Sequence, residues 1–280
     1  MFIFVFSNKD SSDIYLLNFK SDRNNATQNF VDYNNKIMAK QLLHFLLMWC
    51  FVFTWFPGLS SVHTPVPIDS VDFNRIQHKQ VRKLIARQKH FGVRTFNDLH
   101  PVCYTSPDSN FYQTFKKSEF IRQDINVVWN NLIHQTPSEE FDGRIVSFGL
   151  LYSKRLNNLL YRNESYTGIE EGQILFFNLR VLSGVKNIAV AMEVTKMDND
   201  HKELEYCYID NGSTKGTQKF TLRSTPEGYT EITQLTKYKC KSRLRDRRLY
   251  SFFHEKIVEE FFATIKHKCE TGKESMASER

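Results

Sequence analysis

Proline and glycine are scarce, with 7 and 11 among 280 residues. That composition excludes collagen-like and low-complexity chains. No apolar run reaches the ~20 residues a membrane-spanning helix needs, which argues against a polytopic membrane protein. The five cysteines include no CxxC pair, so the spacing of a zinc ribbon or a thioredoxin-type site is missing. There is no GxSxG elbow, no HExxH and no phosphate-binding loop. Zinc-finger, RNA-recognition and helix-turn-helix signatures are missing too. The net charge of +7 therefore reads as a basic soluble surface, with no nucleic acid as partner. Neither a cofactor nor a metal is expected.

Large rings are plentiful: 24 Phe, 12 Tyr and 3 Trp. They can fill a sizeable core or line a large cavity. With 41% hydrophobic and 25% charged residues, the chain has a globular balance, enough for one large domain or two small ones.

Residues 42–56 read LLHFLLMWCFVFTWF, interrupted only by His44 and Thr54. Lys36 and Lys40 precede this run, and Gly58 and Ser60 suit the small positions before a cleavage point. Residues 38–60 thus read as a signal peptide or a membrane anchor. Translation is expected to start at Met38, which leaves 1–37 as a non-native or disordered leader. Export or anchoring through 42–56 is expected, not a cytoplasmic protein. Cys103, Cys207, Cys240 and Cys269 follow this segment. In an exported domain they can form two disulfides in three pairings; four buried thiols are the alternative.

Residues 61–111 read as a linker, a basic helix and a loop. The helix is expected from a cap at Asp69, Ser70 or Asp72 to about His90, stopped by Gly92. Phe73, Ile76, Val81, Leu84 and Ile85 form its apolar stripe. The basic face can meet an anionic membrane surface, or the helix docks on the domain. A strand is expected over 112–120 and a helix from Asp124 to His134. Segment 145–161 is apolar and fits either element. From Gly172 the pattern alternates, giving strands at 173–182, 187–197, 202–209, 217–224 and 229–242, joined by short turns into an antiparallel meander. A helix over 248–267 carries a broad apolar stripe from Tyr250 to Ile265. It can cover the open face of that sheet. Residues 269–280 read as a flexible tail.

This order of elements resembles the START and polyketide-cyclase-like helix-grip superfamily. The local match is FIRQDINVVWNNL at 120–132, similar to that superfamily's first strand entering its first helix. The texture of 187–268, IAVAMEV then EYCYIDNG and KGTQKFTL, resembles an uncharacterised bacterial branch. The resemblance implies an α+β helix-grip domain over 112–268, a curved antiparallel sheet wrapped around a long C-terminal helix. It also implies a cavity between the two that holds an apolar or amphipathic, lipid-like small molecule. Non-enzymatic binding is the expectation. A cyclase, dehydratase or hydrolase using the same cavity is the alternative, as is an interaction module with a filled core.

Candidate ligand-binding residues are Arg180, Glu193, Tyr206 and Tyr152. Arg180 and Glu193 stand in consecutive strands among apolar neighbours, where an inward pair can anchor a ligand. The competing reading places both opposite the apolar Ile188–Val194 face. His100 and Tyr104 lie in a loop where a general base can act, but no partner carboxylate is identifiable. Asp198, Asp200 and His201 read better as a hairpin turn than as a metal site. Lys237, Lys239, Lys241, Arg243 and Arg245 alternate into a cationic ridge. That ridge can attract phosphate head groups or serve as a solvated face.

Overall fold

The computed structural model describes residues 64–105, 111–181, 184–242, 246 and 249–278. The leader and the apolar segment 42–56 lie outside them, as do Arg243 and Arg245. Eight strands form one antiparallel sheet: β1 (Gln113–Ile121), β2 (Val146–Ser153), β3 (Asn158–Leu160), β4 (Ile174–Val181), β5 (Lys186–Asp198), β6 (Glu203–Tyr208), β7 (Thr214–Ser224) and β8 (Thr230–Cys240). Their spatial order is β1-β8-β7-β6-β5-β4-β2-β3. The meander of the sequence pattern is the run from β4 to β8. The helices are α1 (Lys79–Gln88), α2 (Ile125–His134), α3 (Pro137–Glu140) and α4 (Tyr250–Ser278). No helix among the described residues is long and apolar enough to cross a membrane.

Local chemistry explains these boundaries. The Asp124 carboxylate accepts from the backbone N–H of Asn126 at 2.8 Å, capping α2. Pro137 blocks continuation of α2 and opens α3 from its first position, where no N–H is needed. The expected helix over 69–90 forms only in its second half. Asp72 accepts from Asn74 N–H at 3.0 Å and supports a 3-10 turn, and Ile76 is extended. Such side-chain-to-backbone bonds compete with a helix. Gly92, at φ 81°, ends the helical stretch.

Two cores share the sheet. On its inner face α4 lays Val258, Phe261, Phe262 and Ile265 against Phe220, Tyr206, Leu175 and Met192. Each such side chain contributes about 1.5–3 kcal/mol of burial. The Glu260 carboxylate accepts from the backbone N–H groups of Arg144, Ile145 and Val146 at 2.8–3.0 Å, tying α4 to the start of β2. This arrangement is an α+β helix-grip domain.

The outer face is covered over β2, β4 and part of β5 by residues 66–99. Ile76, Val81 and Ile85 pack there with Phe96, Leu150, Tyr152 and Phe176. The basic helix therefore docks by its apolar stripe, and the proline-bearing stretch is no loose linker. The backbone N–H groups of Ile68 and Phe96 donate to the carbonyls of Arg94 and Val66, each at 2.9 Å. Gly149 allows this close contact, since a Cβ there would stand 2.9 Å from the Val81 methyls. Segment 145–161 becomes the β2–β3 hairpin. All eight residues of β2 are buried, so its two dry faces erased the period-two signal.

Residues 100–104 fill the fork where β6 and β7 separate. Val102 donates to Tyr208 O at 2.7 Å and accepts from Gly216 N–H at 2.9 Å. A Cβ at Gly216, where φ is 130°, would fall 2.0 Å from Lys237 O, so only glycine fits. Among the described residues one disulfide, Cys103–Cys207, is present, and it locks this insertion to β6. Cys269 is buried under the sheet, and Cys240 is buried beside the Thr214 hydroxyl.

Candidate ligand cavity

Between the inner face and α4 lies a cavity of about 250 Å³. At ~30 Å³ per water, that is room for on the order of eight waters. Alternation in β5 and β6 builds two walls: Ile188, Val190 and Met192 from one strand, Tyr206 and Tyr208 from the other. Phe141, Phe177, Phe220, Phe253 and Phe261 add rings without closing the space. The interior is thus not plugged by phenylalanine.

Polar groups in the wall fall into two sets. The first is a chain of hydrogen bonds. Gln234 Nε2 donates to Gln218 Oε1 at 3.0 Å, and Gln218 Nε2 donates to the Tyr208 hydroxyl at 2.7 Å. Tyr208 and Tyr250 share a hydroxyl contact of 2.5 Å. Burial pushes the Tyr208 phenol up to about 12 and raises Tyr250 well above its ordinary value. Beside this chain, His254 Nε2 meets the Thr236 hydroxyl at 2.9 Å. The ring stacks on Tyr250 and meets Phe115 edge-on. Burial holds its pKa down at about 3, so it is neutral.

The second set is Glu140. It is 4% exposed, and its Oε1 is buried with no hydrogen-bond partner. Burial raises its carboxyl well above the ordinary range, and Lys268 opposes this only weakly. The charge it would carry also raises the phenols of Tyr206 and Tyr166. Gln234 Oε1 is likewise buried and without a partner.

Of the four sequence candidates, Tyr206 alone lines this cavity. Arg180 is exposed, and its guanidinium donates to the Ser147 hydroxyl at 2.9 Å. Its strand neighbours Leu179 and Val181 take the inward positions. Glu193 sits on the outer face, 7% exposed, paired with Lys154 Nζ at 2.6 Å. Parity with Met192 sends it outward. The dryness around it comes from the outer layer, not from a ligand site. Tyr152 belongs to the outer core, where its hydroxyl lies 2.7 and 2.9 Å from the side-chain oxygens of Asn97 and Asn157 and shares its one proton between them.

His100 is exposed, and Tyr104 lies under Lys237 at 4.1 Å. Lys239 similarly stands over Phe111 at 4.7 Å. The Asp198 carboxylate caps its own hairpin through the backbone N–H of His201, and Asn199 accepts from the Trp129 indole at 2.9 Å. Among the described residues, no cluster of three His, Cys, Asp or Glu side chains is placed to hold a metal ion.

The sequence reading missed Glu140, Gln218, Gln234 and His254. His254 was accessible, because it stands four residues after Tyr250 and four before Val258 on the apolar stripe. Gln234 follows from parity with the inward Tyr238. Glu140 carried only the signal of a helix start, Pro-Ser-Glu-Glu, which says nothing about burial.

No protein-family model and no curated protein matches the chain. Solved structures of similar shape include ginseng major latex-like protein 151 from Panax ginseng, at 10% identity and TM-score 0.40, over 58% of this chain and 97% of that one. Ara h 8.0201 has 12% identity and TM-score 0.40, over 57% and 99%. A Thalictrum norcoclaurine synthase point mutant has 12% identity and TM-score 0.42, over 58% and 96%. Likeness at this level carries no argument about ligand or activity. The fold assignment stands on the sheet order and the gripped helix.

Proposed function

We propose that this protein binds a hydrophobic or amphipathic small molecule in the cavity between sheet and α4, without converting it. The observation that carries this reading is an apolar, ring-lined space of about 250 Å³ with a few buried polar groups in its wall. Mostly apolar concavities with sparse, fixed polar groups are the usual form of ligand sites. Native mass spectrometry of the full chain is expected to show a retained small molecule. Val190→Trp, which places an indole in the cavity, is expected to abolish that extra mass while the fold persists. A bare mass for the wild type, or retention unchanged in Val190→Trp, would overturn the reading.

An enzymatic reading draws on one observation. A buried Glu140 whose proton affinity burial raises, beside Tyr206, has what a general acid requires. Turnover of any cavity-sized substrate that disappears in Glu140→Gln would support it.

Placement in an uncharacterised bacterial branch rests on the texture of 187–268 alone. Export or membrane anchoring through 42–56 is part of the same proposal. The Cys103–Cys207 bridge supports it, because stable disulfides belong to oxidising compartments. The half-exposed Lys237 and Lys239 remain candidates for contact with anionic head groups, although both stand over rings of the outer surface.

A further inference from the structure

The cavity wall is short of one kind of chemistry. Its two buried side-chain oxygens without partners, Glu140 Oε1 and Gln234 Oε1, both accept hydrogen bonds. The protein supplies a donor to neither, and Glu140 becomes a pure acceptor once it ionises. The lining also holds no buried cation: Lys186 is exposed, and His254 is neutral. Glu260, the other acid of the wall, is satisfied by three backbone N–H groups. Glu140 therefore stands as the one carboxyl of the wall without a hydrogen bond. Phe141 and Phe177 lie 4.6 Å apart between ring centroids, and Phe141 stacks on Phe261 at 5.8 Å.

We infer that the ligand carries a protonated amine, which pairs with Glu140 while its apolar body packs on the rings of Phe141, Phe177 and Phe261. This rests on the cavity reading above and names the ligand class. An ammonium offers three donors and no acceptor, which matches a wall whose unmet groups accept. It also gains from aromatic faces, which attract cations in dry surroundings. A carboxylate ligand would meet Glu140 with no buried cation to balance it. A neutral alcohol would satisfy one acceptor and gain nothing from charge.

The groups facing Glu140 are Lys268 from α4, Tyr206 from β6 and Tyr166 from the segment before β4. None of them forms a hydrogen bond or ion pair with it within 4.0 Å. In the empty protein burial favours the protonated, uncharged form of this carboxyl. An arriving ammonium converts it to carboxylate, and the displaced proton leaves to solvent. Binding is then coupled to release of about one proton near neutral pH.

The test is calorimetric titration of the full chain with 4-phenylbutylamine, 4-phenylbutan-1-ol and 4-phenylbutanoate, at neutral pH in two buffers of different ionisation enthalpy. The amine is expected to bind about tenfold or more tighter than the alcohol, with about one proton released per ligand. The carboxylate is expected to bind weakest. Glu140→Gln is expected to erase the preference for the amine, bringing its affinity down to that of the alcohol, and to abolish the proton release. Equal affinity for amine and alcohol without proton release overturns the amine inference and leaves the cavity reading standing. Failure of all three to bind overturns both. If Glu140→Gln does not fold, the wild-type proton count and affinity ratio decide alone.

Discussion

Replacing Cys103 and Cys207 together by alanine is expected to lower the unfolding free energy by about 2–5 kcal/mol. The bridge spans 104 residues of sequence. In the chain-entropy account, a closed loop of that size restricts the unfolded ensemble by about 4.7 kcal/mol. The loop contains α2 and the strands from β1 to β5. Losing the link frees half the domain in the unfolded state. In the folded state it releases residues 100–104 from the fork between β6 and β7, where only a few backbone bonds remain to hold them. Domains are stable by about 5–15 kcal/mol, so this is a large share. Urea unfolding at constant slope, with and without dithiothreitol, checks it. The wild type should become reductant-sensitive and the double variant should not. An unchanged midpoint in the double variant would show that the clamp contributes nothing.

The second large effect concerns pH. His254 is neutral in the folded protein, with a pKa near 3 against the ordinary 6.5. Below pH 6.5 the unfolded chain takes up a proton that the folded chain refuses. Stability is therefore full above 6.5 and falls as pH drops, by about 2 kcal/mol at pH 5. Glu140 acts in the opposite sense. Its folded pKa is raised, so its contribution is complete below about 4.5 and is lost as pH rises. Between roughly 4.5 and 6.5 the two slopes oppose one another.

Each variant should unmask the other group. Glu140→Gln is expected to show stability rising from pH 4.5 to 6.5 by about 1.4 kcal/mol per unit, and His254→Gln to show it falling as pH rises above about 4.5. Half-buried carboxylates such as Asp198 and Glu203 have lowered pKa values and act below this interval. Urea midpoints from pH 3.5 to 9 for the three proteins provide the measurement. Parallel pH profiles in all three would mean that neither side chain is as dry as its surroundings imply.

Legibility in the sequence followed a physical rule. Elements with one wet face could be read. α2 runs from Ile125 to His134 because a capping aspartate, an apolar period and a proline agree with one another. β8 alternates because water touches one side of it. β2 was ambiguous because nothing wets either side. The first half of the 69–90 helix was overread, since Phe73 and Ile76 keep helical spacing inside a stretch that Asp72 folds into a turn. Among site residues, Tyr206 could be placed by its alternation with Leu204 and Tyr208. Parity also offered the outward placement of Arg180 and Glu193 that the structure shows, but not the dryness at Glu193, because the outer layer comes from residues far away in sequence. The disulfide was equally hidden: Cys103 finds Cys207 only through the insertion at the fork. Glu140 was hidden for a third reason, since a carboxyl buried without a partner goes against its own solvation and no local pattern announces it.

Covering only one flank of the sheet on both sides divides it mechanically. Behind β4 lies a second dry layer, and most of its residues are buried, whereas every second residue of β8 stays half-exposed. Amide protons of β4 should therefore exchange with deuterated solvent only when the whole domain opens, and those of β8 through smaller, more frequent openings. A guest entering beneath α4 would thus be admitted by yielding on the β7–β8 flank, with the double-walled flank as the anvil against which it is held.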